Sequence, residues 1–268
     1  MKKKIVALCL CVALAVVAIG GATLAYFTDT DAKTNTFTVG NVSIDLIEQQ
    51  KGANGLEAFA QNKTLVPGKS NDGNAVSKIV TVKNTGKNDA WVWVDMLIPS
   101  DLLDAANPTD QSLNALHFNE YGAFNQAYWQ NPKYKLSATN SAVTDGVFNA
   151  DLTPAVENMV NCDANTVWTD WVSAGTTTVG EGDNAVTYTI LRTKMVGTLE
   201  SGKISLPCLR QVYMDWRVQV DGEQYILPNG SKIPTNASWE IIVNAYAIQA
   251  DGFDNVDAAI AGYTSNGN

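Results

Sequence analysis

Histidine is almost missing from this chain of 268 residues, and the single one present, His117, limits the available chemistry more than any motif extends it. An HExxH zinc site needs two histidines on one helical turn. Ser-His-Asp and Cys-His systems would both have to use His117, and no GxSxG accompanies it. Between Leu116 and Phe118, a packed imidazole is the expected role. Any two acids could meet in space as a glycosidase pair, but spacing singles out none. No catalytic residue is therefore assigned, and no enzyme is expected.

Positive charge is scarce as well, with 18 Lys and Arg against 27 Asp and Glu. A surface of that sign repels phosphate, which argues against nucleic acid or anionic membrane as a partner. Long apolar runs are confined to one place, the N-terminus. Hydrophobic residues make up 46% of the chain, enough for a packed core and too many for a disordered protein.

That N-terminal run has the three parts of a cleavable signal peptide over residues 1–25. Met1–Lys4 is basic, Ile5–Ile19 is apolar and uncharged, and Gly20-Gly21-Ala22 breaks the helix before small residues at Thr23 and Ala25. Cleavage between Ala25 and Tyr26 is expected, which makes the protein secreted, at the cell surface or in an extracellular matrix. Its membrane contact is then limited to the uncleaved precursor. The rival is an uncleaved anchor, since Ile5–Phe27 is long enough to span a bilayer. A lipoprotein signal is disfavoured because Cys9 comes too early in the run. Losing Lys2, Lys3 and Lys4 leaves 15 basic against 27 acidic groups, a net charge of −12.

Cysteine is sparse too. Cys9 and Cys11 leave with the signal, and Cys162 with Cys208 remains as an even pair in an oxidising compartment. A bridge between them would close a loop of roughly 45 residues, a constraint of about 4 kcal/mol on the chain-entropy model. Two buried thiols are the alternative.

Beyond the signal the composition is that of strands, with Val, Thr, Ile, Trp and Tyr in short runs between Asn, Gly, Asp and Pro. Strands are predicted over Thr34–Leu46, with a bend at Gly40-Asn41, and over Val76–Asn84 and Ala90–Ile98. Others are predicted over Val167–Val172, Val186–Val196, Val212–Val220 and Trp239–Gln249. Leu65-Val66-Pro67-Gly68 reads as a turn. In Ala90–Ile98, Trp91 and Trp93 share one side while Val92, Val94 and Met96 share the other, as expected of an interior strand of a sandwich. Residues 99–136 lack a clean period and read as an insertion of loops with a short helix. Asp254–Tyr263 reads as one or two helical turns with Asp254 as N-cap. The prediction is an all-β protein, a jelly-roll-like antiparallel β-sandwich formed by residues 47–268 as one domain.

Ligand signals are few. Asp251-Gly252-Phe253-Asp254-Asn255-Val256-Asp257 and Asn71-Asp72-Gly73-Asn74 gather oxygen donors on turns. Neither has EF-hand spacing, and ordinary turns have the same composition. No cofactor and no metal site is assigned, with calcium the one cation left open. Tyr121, Tyr128, Trp129 and Tyr134 lie in the polar insertion and are candidates for a carbohydrate-binding surface, whereas Trp91 and Trp93 are simpler as core.

The signal junction carries a family resemblance. Gly20-Gly21-Ala22-Thr23-Leu24-Ala25-Tyr26-Phe27-Thr28-Asp29 leads into Asn35-Thr36-Phe37-Thr38-Val39-Gly40-Asn41-Val42-Ser43-Ile44-Asp45-Leu46. With Leu65–Gly68, Val82–Gly86, Asp89–Val92 and Ala247–Phe253, these residues resemble the TasA/camelysin family, secreted proteins cut by a SipW-type signal peptidase. The resemblance covers residues 18–98 and 239–253. It implies a jelly-roll-like sandwich that polymerises into biofilm-matrix fibres. It also implies that the segment 26–46 pairs with the next subunit as a donor strand, through Phe37, Val39, Val42, Ile44 and Leu46. Self-association is then the principal partnership, with other matrix components as further partners. Pairing of that strand within its own domain is the alternative at the level of the strand. At the level of function, the alternatives are a monomeric adhesin or carbohydrate- or protein-binding module, and then a camelysin-like endopeptidase. The single His leaves no metal triad to carry over for the last.

Overall fold

The computed structural model describes residues 28–32, 42–52, 55–69, 74–109, 112–119, 168–182, 185–235, 237 and 239–265. Within them the chain is built of strands with one α-helix. Strands β1 (Thr28–Ala32), β2 (Ile44–Gly52), β3 (Gly55–Ala58), β4 (Pro67–Gly68), β5 (Val76–Asn84) and β6 (Ala90–Pro99) come first. A 3-10 turn (Ser100–Leu102) and β7 (Leu116–Phe118) follow, then β8 (Val172–Val179), β9 (Val186–Lys194) and β10 (Leu209–Asp215). The short strands β11 (Gln219–Asp221), β12 (Gln224–Ile226) and β13 (Lys232–Pro234) precede β14 (Ile242–Gln249) and helix α1 (Val256–Ser265).

Two sheets carry the fold. Sheet A has the order β1-β14-β6-β9-β8, and sheet B the order β3-β2-β5-β10-β4 with β7 also on β10. The β11-β12-β13 meander forms a third, small sheet. Pairing is antiparallel apart from β4, which lies parallel to β10 with Pro67 opposite Met214 and Gly68 opposite Asp215. The run Leu65–Gly68, predicted as a turn, therefore ends in a short strand.

The two large sheets share one core. Val42, Ile44, Val80, Val82, Leu209, Val212 and Met214 from sheet B meet Val92, Val94, Met96, Ile98, Leu191, Val243, Ala245 and Ala247 from sheet A in a single buried cluster. This is the sandwich arrangement, each sheet turning one face inward because alternate side chains point to opposite sides. Burial of this many aliphatic side chains, each worth about 1.5–3 kcal/mol, is the main term holding the sheets together. The all-β prediction holds.

Strand β6 follows its predicted parity and shows why both its faces are apolar. Val92, Val94, Met96 and Ile98 face the shared core. Trp93, on the other face, is 1% exposed because helix α1 covers it. Its ring stacks on Tyr246 at 5.5 Å and meets Tyr263 of α1 edge-on at 5.2 Å, both favourable aromatic geometries. Lys194 on β9 reaches Asp257 of α1 at 2.6 Å. Asn255, not Asp254, caps the helix, its Oδ1 accepting from the backbone N–H of Ala258 at 2.9 Å.

Other predicted boundaries shift for identifiable reasons. The first predicted strand, Thr34–Leu46, continues through β2 to Gly52, so the segment boundary drawn at Leu46 falls inside a strand. Its residues 34–41 lie outside the described residues. The predicted strand Val212–Val220 breaks after Asp215, because the Asp215 carboxylate accepts from the backbone N–H of Arg217 at 2.7 Å and closes a local turn. Val167–Val172 becomes a single bridge at Trp168 followed by β8, which extends to Val179. The segment read as an insertion from residue 99 is integral to the sandwich as far as Asn119. Leu102, Leu103, Leu116 and Phe118 belong to the shared core, and β7 is a strand of sheet B.

Candidate assembly edge and the buried histidine

The first described residues after the expected cleavage site form an edge strand. β1 lies antiparallel on β14, with Thr28 opposite Ile248 and Ala32 opposite Asn244. On its other side β14 is paired along its whole length with β6, from Ile242 opposite Leu97 to Gln249 opposite Ala90. Removing β1 would expose a row of β14 backbone donors and acceptors, the kind of edge that an added strand completes. The core beneath it is already filled, since Ala245 and Ala247 of β14 are fully buried.

The residues singled out as a donor strand divide between two regions. Val42 and Ile44 are fully buried in this subunit's own core, with Leu46 packed against them. Ile44 stands opposite Asn84, and Leu46 opposite Val82, in the antiparallel β2/β5 ladder. Phe37 and Val39 lie outside the described residues, as do the cleavage pair Ala25 and Tyr26. Cys208 is fully buried, its Sγ 3.6 Å from the carbonyl of Val80, while Cys162 lies outside the described residues. So do Tyr121, Tyr128, Trp129 and Tyr134, and Asn71, Asp72 and Gly73 of the first Asx-rich turn.

His117 is 1% exposed, on the face of sheet B away from the shared core. The β7/β10 register sets it opposite Tyr213, and its ring centroid lies 5.2 Å from that of Tyr213. Its Nε2 sits 2.5 Å from Oδ2 of Asp215. Arg217 completes the group, with Nε donating to Oδ1 of Asp215 at 2.9 Å and Nη2 to Oδ2 at 2.8 Å. Burial on its own would raise the Asp215 carboxyl. The hydrogen bonds from His117 and Arg217 outweigh it and hold the group far below the ordinary carboxylate range. Such a carboxylate is a fixed anion matched to two donors, a structural tie between β7, β10 and the turn that follows. Sequence pointed to the packed His but not to its partner, 98 residues away. The only local sign of Asp215 is its two-residue spacing from Arg217.

A metal would need a different set of residues. Among the described residues no three of His, Cys, Asp and Glu gather closely enough to hold one. In the Asp251–Asp257 turn, Asn255 caps α1, Asp257 pairs with Lys194, and Asp251 accepts from Gln249 at 3.2 Å. The lone imidazole is engaged with Asp215 beside a guanidinium, a cationic setting that opposes a divalent ion. The residues present do not fit a histidine-ligated zinc site. No helix among the described residues is long and apolar enough to cross a membrane.

Comparison with known proteins bears on the N-terminal part. No curated protein and no solved structure matches the chain significantly. Residues 1–91 match the family model described as camelysin metallo-endopeptidase. That match spans the signal junction, β1 to β5 and the start of β6, the stretch in which the junction and first-hairpin motifs were read. Residues 1–91 are thus similar to the camelysin family, in keeping with the TasA/camelysin resemblance read from the N-terminal motifs.

Proposed function

We propose that the chain is a secreted, non-enzymatic structural subunit of extracellular biofilm-matrix fibres, assembling head to tail by donation of its N-terminal strand. The observation that supports this most is the placement of β1. It is a five-residue edge strand just downstream of the expected cut, and among the described residues its one strand-pairing partner is β14. Before cleavage the hydrophobic signal would hold this segment at the membrane. After it, Tyr26–Ala32 would be released to pair with β14 of its own subunit or of the next. Exchange between the two costs little, because the same ladder of backbone hydrogen bonds forms in either case. Each subunit then both gives a strand and receives one, and such a contact propagates without closing.

The placement of β2 narrows the donor. Val42 and Ile44 are part of the subunit's own core, so the segment able to leave ends before them. Deleting residues 26–46 would cut into β2 and unfold the sandwich as well as remove the donor. The discriminating deletion is residues 26–32. Electron microscopy of the mature chain should show filaments that this deletion abolishes, while circular dichroism remains that of a folded β protein. Filaments from both chains would overturn strand donation, and filaments from neither would overturn the fibre reading.

A further inference from the structure

Among the described residues most strands at the ends of sheets carry charge or proline. β1 carries Asp29 and Asp31, β3 carries Glu57, β4 carries Pro67, β11 carries Asp221, and β13 carries Lys232 and Pro234. Charge and proline on an edge are the usual means by which soluble proteins block unwanted pairing. β8, the end of sheet A opposite β1, has neither. Its sequence is Val-Ser-Ala-Gly-Thr-Thr-Thr-Val, and the hairpin it makes with β9 is uncharged from Trp171 to Gly180 and from Ala185 to Leu191. Among the described residues β9 is its one strand partner, leaving the other edge open. Seven of its eight residues are exposed, Val172 at 47% and Val179 at 42%, and Val186 opposite Val179 is 40% exposed.

We infer that β8 is a lateral docking edge for a second copy of this chain, pairing antiparallel with β8 of that copy. Charge selects the occupant. The mature chain carries a net charge of −12, so two copies approaching through most faces repel one another. Although Glu181 and Asp183 fall between β8 and β9 in the sequence, β8 itself is an uncharged edge along which like copies can meet. A two-fold contact also sets Thr and Val opposite Thr and Val, cross-strand pairs that favour a sheet.

A bulge between Ser173 and Thr176, where Gly175 has a φ of +105°, limits the regular edge to Thr176–Val179. Four residues a side bury far less than the roughly 1,000 Å² expected of a stable isolated interface. The contact is therefore weak for single molecules. It becomes strong where many copies are arrayed along a fibre, as repeated weak contacts add by avidity. Since β8 and β1 are opposite ends of one sheet, side-by-side pairing at β8 leaves the strand exchange at β1 undisturbed. The inference does not depend on that exchange.

The test compares the mature chain with Thr176→Lys/Thr178→Lys and Thr176→Glu/Thr178→Glu. Both positions are exposed, so circular dichroism and thermal midpoint should be unchanged. Electron microscopy should show wild-type filaments associated in pairs or bundles and both variants as single filaments. Sedimentation at rising concentration should show side-to-side association at least ten-fold weaker in both. Wild-type filaments that never associate laterally would overturn the inference and leave the fibre reading intact. Dimers without filaments, lost in both variants, would overturn the fibre reading and support this one. Loss in the Glu variant alone, or in neither, would overturn strand pairing at β8.

Discussion

Replacing Asp215 by Ala tests whether the lone histidine belongs to the architecture or to chemistry. Asp215 is 2% exposed and accepts four hydrogen bonds, one from His117 Nε2 and three from Arg217 through its backbone N–H, Nε and Nη2. Removing one partner of a buried ion pair costs about 3–5 kcal/mol, because the partner's charge loses its compensation. His117 has no route to water at 1% exposure, whereas Arg217 is partly exposed and can recover some solvation. About 3 kcal/mol is the resulting expectation, which for a domain of this size corresponds to a thermal midpoint lowered by roughly 6–12 °C.

The pH dependence follows from the lowered folded-state value of Asp215. A depressed carboxyl stabilises fully above its unfolded value, near 4, and that contribution declines progressively as pH falls from there to the folded value, in strong acid. Urea unfolding of wild type and Asp215→Ala should therefore show nearly the same gap at about pH 5.5 as at pH 7, and a shrinking one as pH falls below about 4. A gap under about 1 kcal/mol, or one already lost at pH 5, would refute the reasoning. A replacement that left stability untouched would return the His117 group to consideration as a reactive site.

Two further outcomes test other parts of the argument. Ile44→Ala should destabilise the isolated, unassembled monomer by about 2–5 kcal/mol in urea unfolding, because Ile44 is fully buried in its own subunit; if it docked only on a neighbour, the monomer would show almost no change. Tyr246 has its phenol pushed up to about 12, by burial first and then by Asp95 and Tyr263. A raised value means the contribution is complete below pH 10 and is lost between about pH 10 and 12. Thermal midpoints should fall across that window, and Tyr246→Phe should flatten the fall; an identical slope in the variant would assign it to other groups.

Sequence by itself determined the elements whose burial is symmetric or strongly alternating. Val76–Asn84 came out with its observed ends because an apolar run bounded by turn residues has few other conformations. The parity of Trp91 and Trp93 against Val92, Val94 and Met96 was legible because side-chain direction in a strand has a period of two. The family resemblance was legible near residues 20–46, where several individually weak motifs fall in one order. The scarcity of histidine likewise narrowed the chemistry before any fold was known.

Tertiary structure decided what depends on a partner distant in the chain. β8 is a strand of Thr, Ser and Gly with little hydrophobic pattern, and it forms because β9 offers it a backbone edge. Pro67-Gly68 reads locally as a turn, yet lies straight because β10 passes beside it. The break after Asp215 needed Arg217 to fold back on the same carboxylate that holds His117, three residues whose meeting no local rule describes. Which part of the N-terminal segment could leave its subunit was equally a matter of pairing. Val42 and Ile44 are buried in the shared core, Ile44 within the β2/β5 ladder, whereas β1 is paired as an edge strand with β14. Local propensity follows neighbours in sequence. Edge, register and burial follow neighbours in space, and it is on the edges of this sheet that assembly turns.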